Sequence, residues 1–285
     1  MNCAPPFLHS TSGPVGGVRP HGKLPGMPFR DDSGLRYFQF KSLHDEGLIQ
    51  AIFTRLGGVS PSPWAALNFG RMVGDQEERV AQNNGRALAV AGRDPQSVFH
   101  VWQVHSADVL HAAAPDPATG PKADAVVTDN PRVTLLMRFA DCLPIFLYDP
   151  RRKAVGIVHA GWLGTVRRVG QAAVRSLVEL FGSHPGDILA GIGPSIGPDH
   201  YPVREDVVTQ VQDAFGAKSE NYLLRRDGEV RLDLWSANVD LLREVGVQSI
   251  ELSGICTACQ LDEWYSHRGE RGRTGRFGAI LALAA

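Results

Sequence analysis

The sequence predicts a single α+β domain built on mixed β-sheets. Three observations point there. Strand-like apolar runs outnumber helical stretches and cluster instead of alternating strictly with them. No internal repeat and no clear interdomain linker interrupts the chain. Its 285 residues, 43% apolar and 21% charged, are enough for one large core at ordinary globular usage.

Residues 1–34 hold six prolines and six glycines with few periodic apolar positions, so they read as a flexible extension ahead of a domain spanning 35–285. At LRYFQF (35–40) the texture changes to short apolar runs, and QAIFTRLGGVS (50–60) reads as a strand entering a glycine turn. QEERVAQNNGRALAVAG (76–92) has helical spacing, with Val80, Ala87, Leu88 and Ala91 on one face and Gly92 as the stop. Strand-like runs follow at SVFHVWQVH (97–105), ADAVVT (123–128), VTLLMRFADCLPIFLYD (133–149) and AVGIVHAG (154–161). One helix is predicted over 164–182, others around 204–215 and 233–246, all on the outer faces of the sheets. DILAGIGPSIG (187–197) follows the first of these helices, and SIELSGICT (249–257) reads as a last long strand before a glycine- and arginine-rich tail that ends with FGAILALA (277–284).

With 29 basic and 30 acidic residues the net charge is −1, which excludes a global field for nucleic acid or an anionic membrane. Four cysteines (Cys3, Cys142, Cys256, Cys259) are too few and too unevenly placed for a disulfide framework, so a reducing compartment is expected. No charged head precedes an apolar run at the N-terminus, and no stretch nears the roughly 18 apolar residues of a membrane helix. The expectation is a cytoplasmic globular protein without nucleic-acid or membrane partners. The sequence assigns no oligomeric state.

Three segments share one form, an apolar strand followed by a metal-ligand side chain and then small or polar residues. They are WQVHSADV with His105, MRFADCLP with Cys142 and GIVHAGWLG with His159. Imidazole and thiolate are both good zinc donors, and three protein ligands with an open position is the catalytic arrangement. The spacings of 37 and 17 residues match no local zinc-finger pattern. A buried free cysteine also packs as a small hydrophobe, and a lone histidine is commonly structural, so spacing alone leaves both readings open. Cys256 and Cys259 form a single CxxC without the second pair of a zinc ribbon, and read as structural. Arg55 lies beside two glycines, and Arg268, Arg271, Arg273 and Arg276 crowd the tail; the guanidinium fork suits phosphate or carboxylate as well as a solvated turn. Ser195 lies in IGPSIG, a turn or a pocket wall.

The ordered motifs TRLGGVS, LNFG with GD, WQVHS, ADAVVT, ADCLPIFLYDP, VGIVHAGW, IGPSIG, DLWSANVDLL, CT and TGR together resemble the laccase-domain, or multicopper polyphenol oxidase, family of zinc-dependent purine nucleoside phosphorylases. The resemblance runs from about residue 50 to 280. It implies a four-layer α/β/β/α fold, with zinc held by His105, Cys142 and His159. It also implies phosphorolysis of adenosine, inosine, guanosine or methylthioadenosine to base plus ribose 1-phosphate, with deamination of adenosine as a second reaction. Purine nucleoside and phosphate are then the partners. Arg55, Arg276, His267 and Ser195 become candidates for phosphate or substrate binding; Cys142, Arg55 and Asp141 become candidates for catalysis, and Asp124 a supporting carboxylate. The sequence departs from the family at Leu163, where HAGWRG is usual. It departs again at His200, where a cysteine often precedes the tyrosine, and at His267 in the tail.

Three other readings follow from the same residues. A laccase-type copper oxidase of phenols needs clustered HxH pairs, and the ten histidines include none. A cysteine hydrolase, suited to editing peptidoglycan precursors, would use Cys142 as nucleophile with a histidine base. A non-catalytic module would close the metal site with Cys256 or His267 as fourth ligand.

Overall fold

The computed structural model describes residues 28–284 apart from Glu46 and Thr119. Along the chain, β1 (Phe29–Asp32), β2 (Leu35–Phe38) and β3 (Leu48–Phe53) precede helix α1 (Glu77–Val90). Short strands β4 (Val98–Phe99) and β5 (Val109–His111) lead to β6 (Ala125–Thr128), β7 (Thr134–Phe139), β8 (Leu143–Asp149) and β9 (Ala154–Ala160). Helices α2 (Trp162–Val166) and α3 (Val169–Phe181) follow, then β10 (Leu189–Ile192) and α4 (Glu205–Phe215). The chain ends with β11 (Leu223–Arg226), β12 (Glu229–Leu232), α5 (Leu234–Glu244), β13 (Ser249–Leu252) and β14 (Phe277–Leu283).

Two six-stranded sheets result, in the orders β1-β2-β3-β14-β7-β4 and β13-β10-β8-β9-β6-β5. Both are mixed. β14 pairs antiparallel with β3 and β7, and β8 with β9, while β4–β7, β5–β6 and β10–β13 run parallel. The alternation of side chains along each strand then decides what each face meets. On β7, Leu135, Met137 and Phe139 face the partner sheet and join Phe146, Val155 and Ile157 in one core. Leu136 faces outward with Phe53 and Ile280 onto Ala87 and Leu88 of α1. On the far side Leu143, Ile145, Leu147 and Val158 meet Val169, Ala173, Val174 and Leu177 of α3, with Leu242 of α5 behind them. The layers therefore run α1, sheet, sheet, helices α2 to α5: the expected α/β/β/α arrangement in one domain. Every residue of β8, β9 and β14 is buried, as strands covered on both faces require. Each fully buried leucine or isoleucine there contributes about 1.5–3 kcal/mol.

Four details depart from the sequence reading. The β1–β2 hairpin takes residues 29–34 into the first sheet, so the domain starts before residue 35; residues 1–27 lie outside the described residues. The single helix predicted over 164–182 is two, because Arg168 adopts φ 64°, ψ 37° and turns the chain between α2 and α3. The run 97–105 is strand only at β4; beyond it, isolated bridges to Asp116 and Lys122 replace a ladder. Likewise, the long strand read over 249–257 ends at Leu252.

Candidate metal centre and its cavity

His105, Cys142 and His159, the set that the family resemblance implies, come together with ligand atoms all within 4.8 Å of one another. They do not arrive by three equivalent strand ends. His159 is the penultimate residue of β9, where its backbone faces Pro144 of β8. Cys142 ends the tight connection from β7 to β8, directly after Asp141, whose φ of 81° lies in the left-handed region. His105 sits in irregular chain beyond β4, itself at φ 59°. Non-glycine residues in that region are strained, and strain of this kind persists where surrounding structure over-determines it.

Asp124 supplies that constraint for both histidines. One carboxylate oxygen lies 2.8 Å from His159 Nδ1. The other accepts the backbone N–H groups of Val104 and Ser106, at 3.1 and 2.6 Å, which flank His105. Burial would raise the Asp124 pKa, but the His159 hydrogen bond and charge and the two N–H groups hold it at about 2. His159 Nδ1 is thus the protonated nitrogen, and Nε2 is left for a ligand. Burial likewise opposes ionisation of Cys142 and His159, yet each stabilises the charged form of the other. The thiol falls to about 6 and the imidazolium rises to about 9. Cys142 Sγ lies 3.8 Å from His105 Nε2, close to the roughly 3.5 Å separation that N and S ligands take around tetrahedral zinc. The donor set therefore fits a borderline-soft metal ion.

Gly161 gives the Cys142 and His105 side chains their room. A Cβ there would stand 2.8 Å from Cys142 Sγ and 3.0 Å from His105 Cδ2. Beside this group opens a cavity of about 770 Å³. Its walls include Trp102, Trp162, Tyr201 and the arginines Arg71, Arg138, Arg268 and Arg276.

The family model for multi-copper polyphenol oxidoreductase laccase matches residues 49–284. This chain belongs to that family. A relative named purine nucleoside phosphorylase, from Deinococcus radiodurans, is 40% identical over 233 residues, covering 82% of this chain and 88% of its own. Purine nucleoside phosphorylase YlmD of Bacillus subtilis is 33% identical over 250 residues, 84% of this chain and 90% of its own. The crystal structure of YlmD from Geobacillus stearothermophilus superimposes with a TM-score of 0.83 at 31% identity, covering 90% of this chain and 99% of that one.

Within this laccase-family cavity the remaining predicted residues divide. Arg276, His267 and Asp141 line it. Asp141 accepts hydroxyl hydrogen bonds from Thr257 and Ser266 at 2.7 and 2.6 Å and the Arg268 N–H at 2.6 Å, so it anchors the tail beside Cys142. Arg55 and Ser195 do not line it. The Arg55 guanidinium donates to Ala65 O, Leu261 O and Glu270 and lies over the Tyr265 ring, a clamp between the glycine turn and the tail. Ser195 is fully buried and takes the Trp235 indole N–H at 2.8 Å. The hydrogen bonds of Arg55 and Ser195 thus serve packing.

Neither candidate fourth ligand joins the three-residue group among the described residues. Cys256 instead clusters with His200 and Cys259. Leu163, the departure in HAGWLG, is half-buried and lies outside the cavity lining. Arg167, four residues on, donates to the His105 carbonyl at 3.1 Å and so places a charge against this loop. Sequence reasoning missed Arg138, His100 and Trp102. Their signals were a lone charge inside the apolar run VTLLMRF and polar or aromatic residues breaking SVFHVWQVH.

Proposed function

We propose that the protein is a zinc-dependent purine nucleoside phosphorylase with adenosine deaminase activity as a second reaction. The observation that carries the reading is a three-ligand His–Cys–His group opening into a cavity that holds arginines and exposed indole. Relatives named purine nucleoside phosphorylase at up to 40% identity support it. Zinc held by His105, Cys142 and His159 would supply a Lewis-acidic open position.

In this reading a phosphate oxygen attacks the anomeric carbon of adenosine, inosine, guanosine or methylthioadenosine. The bond to the purine nitrogen breaks, its electron pair leaves with the base, and a proton from solvent or a cavity donor neutralises the base. The sugar carbon is electron-poor at the transition state, so phosphate charge fixed against it lowers the barrier. Arg276 fits a role in holding that anion: two carbonyls restrain its guanidinium, and burial lowers its pKa while Cys142 and Asp141 oppose that fall. Tyr201 retains its hydroxyl proton, because burial and the Cys142 charge both raise its pKa, and can donate to the substrate. Trp102, 45% exposed at the cavity, offers a face on which a purine can stack.

The test is incubation of zinc-loaded protein with inosine or adenosine, with and without phosphate. Hypoxanthine or adenine released only with phosphate, and inosine formed from adenosine without it, is the expected result. Absence of all three products, with His105→Ala indistinguishable from wild type, would sink the reading.

The Cys142–His159–Asp124 chain favours one other reading, a cysteine hydrolase, since a depressed thiol beside an oriented imidazole is an activated nucleophile. Zinc occupancy and nucleophilicity compete for the same sulfur. Rapid alkylation of Cys142 in metal-loaded protein would favour the hydrolase, and protection would favour the phosphorylase.

A further inference from the structure

Arg138 is a charged residue on a strand whose neighbours Leu136, Met137 and Phe139 are all buried core. Its pairing register sets it opposite Gly278 of β14. A Cβ at Gly278 would run into the Phe69 ring at 2.4 Å, so Phe69 lies over that gap, and its carbonyl takes the Arg138 Nε–H at 2.9 Å. Gln103 then clamps the Arg138 backbone from both sides, accepting its N–H at 3.0 Å and donating to its C=O at 2.8 Å. The guanidinium is therefore held at a fixed place on the cavity wall.

Its other contact defines a second donor. Arg138 Nη2 lies 3.3 Å from His100 Nδ1. A guanidinium can only donate, so Nδ1 is the acceptor and the imidazole is neutral with its proton on Nε2. Burial and the charges of Arg138 and Arg71 hold His100 at about 3, so it stays neutral throughout the working pH range. Arg71 is exposed on the same cavity.

No ion pair among the described residues involves Arg71, Arg138 or Arg276. Burial, and after it the Arg71 charge, lower Arg138 to about 10. Two guanidiniums brought together with a neutral N–H donor and no carboxylate form a site that is costly unless an anion completes it. An oxyanion with several acceptor oxygens matches forked donors that offer no acceptor of their own.

We propose that Arg138, Arg71 and the Nε2–H of His100 form the phosphate-binding subsite of this cavity, with Gln103 and Phe69 positioning Arg138. This assignment rests on the phosphorylase reading for its identification of the occupant as inorganic phosphate. It places the principal phosphate contacts on the β7 wall, in addition to the Arg276 role proposed above, and not on Arg55, which is spent on packing. The same chemistry would hold the phosphoryl group of a nucleotide, so the experiment separates the two sources.

Zinc-loaded wild type, Arg138→Lys and Arg71→Ala are compared with inosine as substrate, and binding of inorganic phosphate and of adenosine monophosphate is measured by calorimetry without turnover. The expected result in both variants is a rise of about 10- to 100-fold in the KM for phosphate and in its dissociation constant, the loss of one charged hydrogen bond. The KM for inosine should stay within about 2-fold. Because Arg71 is exposed, its variant folds and keeps the test decisive should Arg138→Lys not fold. Unchanged phosphate binding in Arg71→Ala, or in a folded Arg138→Lys, would overturn the subsite. A monophosphate whose binding depends on Arg138, with inorganic phosphate binding that does not, would overturn its assignment to the co-substrate. Phosphate binding lost in the variants of a protein that releases no base would sink the phosphorylase reading and leave the subsite standing.

Discussion

Asp124 is the residue on which the candidate metal group turns, because one carboxylate serves both histidines. His159 is oriented through Nδ1, and the strained His105 turn is held by two N–H groups on the opposite oxygen. Asn at this position would present an amide NH2 to one of those partners and would remove the charge that fixes the His159 tautomer. Asp124→Asn is therefore expected to weaken zinc binding by about 10- to 100-fold. A competition titration against a chromophoric chelator measures this directly. A variant with wild-type affinity would show that the histidines are placed by packing alone. Asp124 was visible in the sequence only as a candidate supporting carboxylate. Its double role depends on β6 pairing with β9 so that Ala125 meets Val158, a register that no local pattern encodes.

At the scale of elements, legibility followed burial in part. β9 read correctly as a strand because both faces are covered and its sequence is mostly apolar, whereas β7 and β8 read as one run and the equally buried β14 read only as the end of the tail. The run 97–105 misled for the opposite reason. Val98 and Val101 are buried like strand residues, but the backbone beyond Phe99 bonds to Asp116 and Pro121 in separate bridges, which hydrophobic pattern cannot distinguish from a ladder. The candidate metal ligands were proposed from residue type at strand ends and from the family resemblance, and Gly161 bears on how closely they approach one another. As N-cap of α2 it has φ −78°, which any residue can adopt, so its backbone does not demand glycine. Space demands it, since a methyl group would press on Cys142 Sγ and His105 Cδ2. Gly161→Ala should leave the far-UV spectrum and monomer fold unchanged while lowering zinc occupancy several-fold, read by metal analysis after gel filtration. Full occupancy would mean that the His105 loop relaxes freely, and that the close approach has no bearing on the metal.

The whole molecule shows what composition conceals. A net charge of −1 excludes a global field, yet Arg71, Arg138, Arg268 and Arg276 converge on one cavity with the metal group. The same long-range assembly would make a metal ion held by the group a cross-link between distant parts of the chain. His105 lies in the β4–β5 connection beside the first sheet, Cys142 in the crossover from β7 of the first sheet to β8 of the second, and His159 in β9 of the second. An ion bound by all three in the native state, and by none of them together in the unfolded chain, stabilises by mass action. At free metal about 1,000-fold above the dissociation constant this amounts to about 4 kcal/mol. For a domain of this size that corresponds to a fall in Tm of roughly 8–16 °C when a strong chelator strips the metal. Scanning calorimetry of zinc-loaded protein with and without chelator gives the wild-type value, and the same pair of scans on His105→Ala gives the control. The wild type should lose most of its metal-dependent shift and the variant should have little to lose. Equal shifts in both would place the stabilising ion elsewhere in the molecule, and an absent shift in the wild type would mean that no ion binds the native three-residue group tightly.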